Sequence, residues 1–382
     1  MRKTKIKRYL GQLILCGIFT VAVFSLRGQQ PADLHATEET KDLYQTINSR
    51  RAKGISVGHQ DALAYGHGWY KVKGRSDLKD VAGKHPTVIG WEIGDIELGK
   101  PYNLDSVYFD DMRRYIVDTQ KRGGITSLSW HANNIVSGKN AWDCAQDTVV
   151  RSILPAGSNH IKYLKWLDRT AEFLLSLKDN QGTLIPVVLR PYHEHTGSWF
   201  WWGAKQCTPE EYKALWKMTV DYFQQKHGIH HLLYCYSPSE TENEAEFLTR
   251  YPGDAYVDLV AFDCYVPGDG TPKDIEKYKI AMAKNIAIVT DYAARSGKIP
   301  TIGETGLEGV KDPTYFTQVV YPLVKDKGLA WILFWRNAYE KDKPNHYYVP
   351  FKGHPAAGDL KKFTRNPRYC FNAKRCTFSC IC

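Results

Sequence analysis

Two glutamates in this chain stand where acid–base chemistry is expected. Glu194 lies in the run VVLRPYHEHTGSWFWWG and Glu304 in IGETG, each directly after an apolar, strand-like stretch. One glutamate near Arg190 or Arg336 would most simply be half of a structural ion pair. Two of them, both ringed by aromatic residues, suit cleavage of a glycosidic bond. One carboxyl protonates the leaving oxygen while the other attacks the anomeric carbon, which needs the two to lie ~5–5.5 Å apart when configuration is retained. Cations near the pair hold the attacking group ionised, and apolar surroundings raise the pKa of the proton donor.

The neighbouring residues extend that reading. Asp263 and His131 offer hydrogen bonds to hydroxyl groups, and Trp199, Trp201, Trp202 and Trp335 offer flat faces for sugar rings. Trp199 and Trp202, three apart in a polar loop, lean towards substrate, whereas Trp201 is equally suited to packing. Metal chemistry is disfavoured. His193, Glu194 and His195 are adjacent, but alternate residues of a strand point to opposite faces. The chain also lacks His-Glu-x-x-His on a helix and any Asp-rich cluster. No metal and no cofactor is expected. His227, His230 and His231 read as a solvated turn.

The elements that must hold these residues alternate along the chain. Strands are expected at Ile55–Gly58, Thr87–Ile93, Gly124–Trp130, Leu184–Arg190, Leu232–Ser237, Leu259–Tyr265, Ile299–Gly303 and Leu329–Trp335. Amphipathic stretches between them include Ser106–Arg122, Asn159–Asp179, Pro209–His227, Pro272–Ser296 and Pro313–Lys327. Thr208-Pro209-Glu210-Glu211 supplies a capping hydroxyl, a first-turn proline and early acids, and Asp312-Pro313 repeats the cap-then-proline pattern. Eight continuously apolar strands alternating with helices predict an α/β fold, a single (β/α)8 TIM barrel. No Gly-x-Gly-x-x-Gly or P-loop follows the first strand to suggest an open nucleotide-binding sheet. A barrel's active site lies at the C-terminal strand ends. Strand three ends in Trp130-His131 and strand four leads into Arg190 to Trp202. Strand six ends in Asp263-Cys264-Tyr265, strand seven in Glu304 and strand eight in Trp335-Arg336.

Composition bounds the rest. The chain has 382 residues, formal net charge +10, 11 Trp and 24 Tyr. Residues 1–30 and 361–382 each carry six Lys/Arg and no acid, more than the whole excess. The body between them is therefore slightly acidic, which argues against a nucleic-acid partner. Residues 1–30 read as a signal peptide: a basic MRKTKIKR precedes an apolar stretch from Tyr9 to Leu26. The chain is thus expected to be exported, periplasmic or secreted, with no stable membrane insertion after cleavage, and to act as a monomer. The catalytic domain is expected over 37–367. A Cys-rich tail at 368–382 reads as disordered or non-native. Cys144 and Cys207, in two polar loops, are candidates for a disulfide.

Over roughly residues 40 to 365 the sequence resembles glycoside hydrolase family 26. The most specific stretch is RPYHEHTGSWFWWG; SWH, FDCY, GETG and FWRN follow the family's pattern in the expected order. The resemblance implies Glu194 as acid/base and Glu304 as nucleophile. It implies His193 and Tyr265 as residues that orient the nucleophile, and Trp335 as the platform at the cleavage point. His131, Asp263 and Arg336 would contact sugars on the non-reducing side, and Trp199 the leaving group. The implied substrate is a β-1,4-mannan poly- or oligosaccharide. A minority of the family cleaves mixed-linkage β-glucan or β-1,3-xylan, and a non-catalytic glycan-binding barrel is the alternative from another class. After strand two, Gly90-Trp91-Glu92-Ile93-Gly94-Asp95 departs from the Gly-aromatic-Asp of many relatives; Glu92 is a candidate to replace that carboxylate and is not counted among the site residues.

Overall fold

A computed structural model describes residues 30–366 and the pair 369–370. The expected signal segment and most of the Cys-rich tail lie outside the described residues. All eight strands form near their expected positions: β1 (Ile55–Gln60), β2 (Val88–Glu92), β3 (Ile125–Trp130), β4 (Val187–Pro191), β5 (Leu232–Tyr236) and β8 (Trp331–Phe334). β6 runs in two segments, Leu259–Val260 and Asp263–Tyr265, and β7 likewise in Ile299–Pro300 and Ile302–Gly306. Each strand pairs in parallel with the next in sequence, and β1 closes the ring against β8, with Ser56 opposite Trp331 and His59 opposite Phe334. Tyr369–Cys370 adds a short parallel pairing beside Ile55 and Ser56.

Alternation sorts the strand residues into two buried sets. Val88, Ile125, Val188, Leu233, Leu259, Ile299 and Leu333 fill the barrel interior, with Tyr44 and Ile47 of helix Glu38–Arg51 packed against them. Ile89, Leu128, Leu189, Tyr234 and Ile332 face the helices. Gly58 allows this packing, since a Cβ there would meet Val88 at 3.1 Å and Leu333 at 3.2 Å.

Helices Phe109–Lys121, His160–Leu175, Pro209–Asp221 and Pro272–Ser296 lie within the expected stretches. Helix Pro209–Asp221 starts with a full capping box between Thr208 and Glu211. The pattern at Asp312-Pro313 behaves differently. Asp312 accepts from the amide and hydroxyl of Thr314, and the helical segment begins only at Tyr315. Among the described residues no helix is long and apolar enough to cross a membrane.

Candidate active site

Two local irregularities bring the glutamates into the mouth of the barrel. Between Ile302 and Thr305 the register of β7 against β8 shifts, three residues spanning the distance of two. Such a bulge re-aims the side chains beside it. Ile302 packs with the helix-facing set, and the shift frees Glu304 from that face. At the end of β4 the chain turns through Tyr192 (φ 49°) and Glu194 (φ 53°), both left-handed. The Glu194 amide donates to the Ser237 carbonyl at 2.8 Å, and the buried Tyr192 hydroxyl bonds Thr219 at 2.7 Å. These contacts hold a conformation that a non-glycine residue adopts at some cost.

Glu304, on β7, is almost fully buried and held by two donors. The Arg190 guanidinium bonds one carboxylate oxygen and the Tyr265 hydroxyl donates to the other at 2.8 Å. Arg190 also donates to Asp263 at 2.7 Å, and the Ser237 hydroxyl donates to the remaining Asp263 oxygen at 2.9 Å. Burial works against the charge on Arg190, but Asp263 and Glu304 outweigh it and raise its pKa above the usual arginine value. His193, Asp263 and Glu304 place one ligand-type atom each within 4.8 Å of one another. The guanidinium bonded to both carboxylates already supplies positive charge at that place. Gly303 makes room for the frame: a Cβ there would lie 2.4 Å from Asp263 Oδ1 and 2.6 Å from Ser237 Oγ.

Glu194 has a different setting. It is half-buried, and Trp199 Nε1 donates to its Oε2 at 2.7 Å. Desolvation, then the negative charge of Glu304, push its pKa up to about 7, with the Trp199 hydrogen bond pulling the other way. One carboxyl of the pair thus keeps its proton near neutrality, while the other is tied to a cation and a phenol.

The two histidines form one unit. His131 Nδ1 donates to Glu92 Oε2 at 2.6 Å, and its backbone amide donates to Glu92 Oε1 at 2.8 Å. Its Nε2 lies 3.1 Å from Nε2 of His193. Burial lowers the pKa of His131, yet Glu92, and after it the charges of Glu304 and Glu194, outweigh burial and the net shift is upward. Burial and the charge of Arg190 push His193 well below the ordinary value. His193 therefore bonds His131 rather than Glu304, whose oxygen is 3.9 Å away.

The expected binding residues divide. Trp199 is exposed beside Glu194, and Trp335 is half-buried with its ring 6.4 Å from that of His131, so both can offer faces to sugar. Trp202 cannot. It is fully buried, donates from Nε1 to the His193 carbonyl at 2.8 Å and stacks on Phe200. Trp201 is buried too, donating to the Ala132 carbonyl, so both fix the loop rather than meet ligand. The Asp263 side chain is fully enclosed, occupied by Arg190 and Ser237 instead of a sugar hydroxyl. Arg336 approaches neither glutamate; it pairs with Asp105 at 3.2 Å and Glu340 at 3.2 Å.

Two other expectations are corrected. Cys144 and Cys207 are free thiols, and Cys207 is buried against Arg250 and the Trp202 carbonyl. Of the three histidines read as a solvated turn, His231 is buried and bonds the Leu174 carbonyl, while His227 pairs with Asp168 and His230 with Asp33. Sequence reading kept Glu92 off the site and passed over Trp142. Glu92 meets the criterion that selected Glu304, a carboxylate at the C-terminal end of an apolar strand. Trp142 is exposed and stacks on His131 at 5.0 Å, but nothing in its polar loop signals that contact.

Known proteins share this fold. The model of the family described as glycosyl hydrolase family 26 matches residues 32–319. A family 26 β-mannanase from Bacteroides ovatus has 44% identity and a TM-score of 0.84, covering 88% of this chain and 95% of that one. An endo-β-1,4-mannanase from Cellulomonas fimi has 29% identity and a TM-score of 0.79, covering 90% and 78%. A mannan endo-1,4-β-mannosidase of Bifidobacterium adolescentis is 30% identical over 372 residues, 91% of this chain and 37% of that protein. The chain spans 37%, 50% and 66% of the first three curated relatives it matches. With its model matched over most of the barrel, and with relatives of the same family aligned across nine-tenths of the chain, this chain belongs to glycosyl hydrolase family 26.

Proposed function

We propose that the chain hydrolyses β-1,4-mannosidic bonds by double displacement with retention of configuration. The observation that carries this is the contrast between its two carboxyl groups. Glu194 holds a proton up to about pH 7, while Glu304 faces a guanidinium and a phenol. In the first step Glu304 forms a bond to the anomeric carbon as the glycosidic C–O bond breaks, and Glu194 gives its proton to the departing oxygen. In the second, Glu194 takes a proton from water, whose oxygen displaces Glu304 and restores both carboxyls. Trp199 and Trp335 would meet sugars on either side of the scissile bond. Mannan as the substrate is supported by the mannanases named above.

The basic, then apolar, N-terminal segment supports export, to periplasm or medium, and the reading as a monomer rests on the sequence. Reducing-sugar release from galactomannan, barley glucan and xylan tests the substrate, with release from galactomannan expected to dominate. Release only from glucan or xylan would reassign it, and none from any would favour a glycan-binding barrel. NMR of the first product should show the β-anomer; an α-anomer would overturn the mechanism.

A further inference from the structure

We propose that Glu92, at the end of β2, is a positioning residue for this reaction: it fixes His131, and through it His193, at the edge of the Glu304 carboxylate. The inference rests on the hydrolysis proposed above. Glu92 is fully buried, and its carboxylate collects four donors. Oε1 accepts from the amides of Gly94 (2.6 Å) and His131 (2.8 Å). Oε2 accepts from the Ser129 hydroxyl (2.8 Å) and His131 Nδ1 (2.6 Å). An imidazole held by its amide and its Nδ1 on one carboxylate has neither a free ring rotation nor a choice of tautomer. Its Nε2 edge then points at His193, whose own Nε2 lies 3.9 Å from Glu304 Oε1. The opposite pKa shifts of the two rings give that bond a direction, His131 donating and neutral His193 accepting.

Glu92 therefore also stabilises positive charge on His131 in the mouth of the barrel. The titratable groups around that ring are Glu92, Asp105, His193, Glu194 and Glu304. His131 lowers the pKa of Glu194, so losing its charge moves that pKa up. The substitution E92Q makes this separable from folding. The introduced amide still accepts from the two backbone N–H groups. Its NH2 meets Ser129, whose hydroxyl can instead donate to the Trp91 carbonyl at 3.3 Å. Facing an NH2, His131 must offer a lone pair at Nδ1, stay neutral and carry its proton on Nε2.

E92Q is expected to keep the wild-type melting temperature and lose kcat on the order of 10- to 100-fold, the range known for removing the hydrogen-bond partner that orients a metal-bound imidazole. KM should change less than kcat, and the basic limb of the pH profile should move to higher pH. E92D, which keeps the charge, should restore the position of that limb and part of kcat. Wild-type kcat and pH profile in E92Q would overturn the proposal. So would equal losses in E92Q and E92D with the basic limb unmoved. Should E92Q fail to fold, proton NMR of the wild type decides. A strongly downfield imidazole N–H resonance, absent in H131N, is required, and its absence overturns the link. A wild-type enzyme inert on every β-glycan would overturn the hydrolase reading instead, and the resonance would still report on the Glu92–His131 contact.

Discussion

At Glu194 burial and the Glu304 charge raise the pKa, while the Trp199 indole opposes them. The acid form is the one that can protonate a leaving group. kcat/KM should therefore fall as pH rises through about 7, and Trp199→Phe, which removes the opposing hydrogen bond, should shift that fall to higher pH. Glu304→Ala should abolish turnover on every substrate with the melting temperature little changed. Glu194→Ala should do so on polysaccharide but spare aryl glycosides with a good leaving group; equal loss on both would contradict the assigned roles. The glutamates were legible in sequence because each follows an apolar run within an aromatic cluster. The contacts of Asp263 and Trp202 were not legible, because sequence reports residue type and not which way it faces. Both carry polar groups that look suited to sugar, and both are consumed by neighbours, Arg190 in one case and the His193 carbonyl in the other.

The strand ends are where regular structure gives way, and each break serves the site. Gly303 precedes Glu304 in the rephased part of β7, and any side chain there would press on Asp263 and Ser237. Gly303→Ala should cost about 1–3 kcal/mol of stability through overpacking. It should also lower activity more than a surface change of equal stability cost, as seen by parallel calorimetry and kinetics. Remote from the mouth, Thr208→Ala removes the capping box of helix Pro209–Asp221. It should cost about 1 kcal/mol and leave kcat unchanged. That cap was readable from Thr-Pro-Glu-Glu, because capping depends on residues a few positions apart. The bulge at Glu304 was not readable, because it exists only relative to β8.

Across the whole molecule the barrel followed from counting apolar runs, since a strand buried on both faces has no polar alternation to obscure it. Its charge balance was less legible. His195 is buried between Tyr212 and Tyr236, at 4.5 and 4.8 Å, and burial pushes its pKa well below the ordinary value. The folded chain resists binding a proton there. As pH falls below ~6.5 the unfolded chain takes up that proton and the native state does not, so stability is lost on acidification. His195→Phe removes this contribution. Its melting temperature should fall less than that of the wild type between pH 7 and pH 5, and an unchanged slope would refute the claim.

The pairing of β1 with β8 has a temporal consequence. Ser56 finds its partner in Trp331, a residue made long after it. Until β8 emerges from the ribosome, β1 has one unsatisfied edge and the interior is open along its length. Contacts so distant in sequence form late and slowly. A nascent chain of this protein is thus kept from closing until β8 has been made, and during that interval its exposed strand edge is available to chaperones.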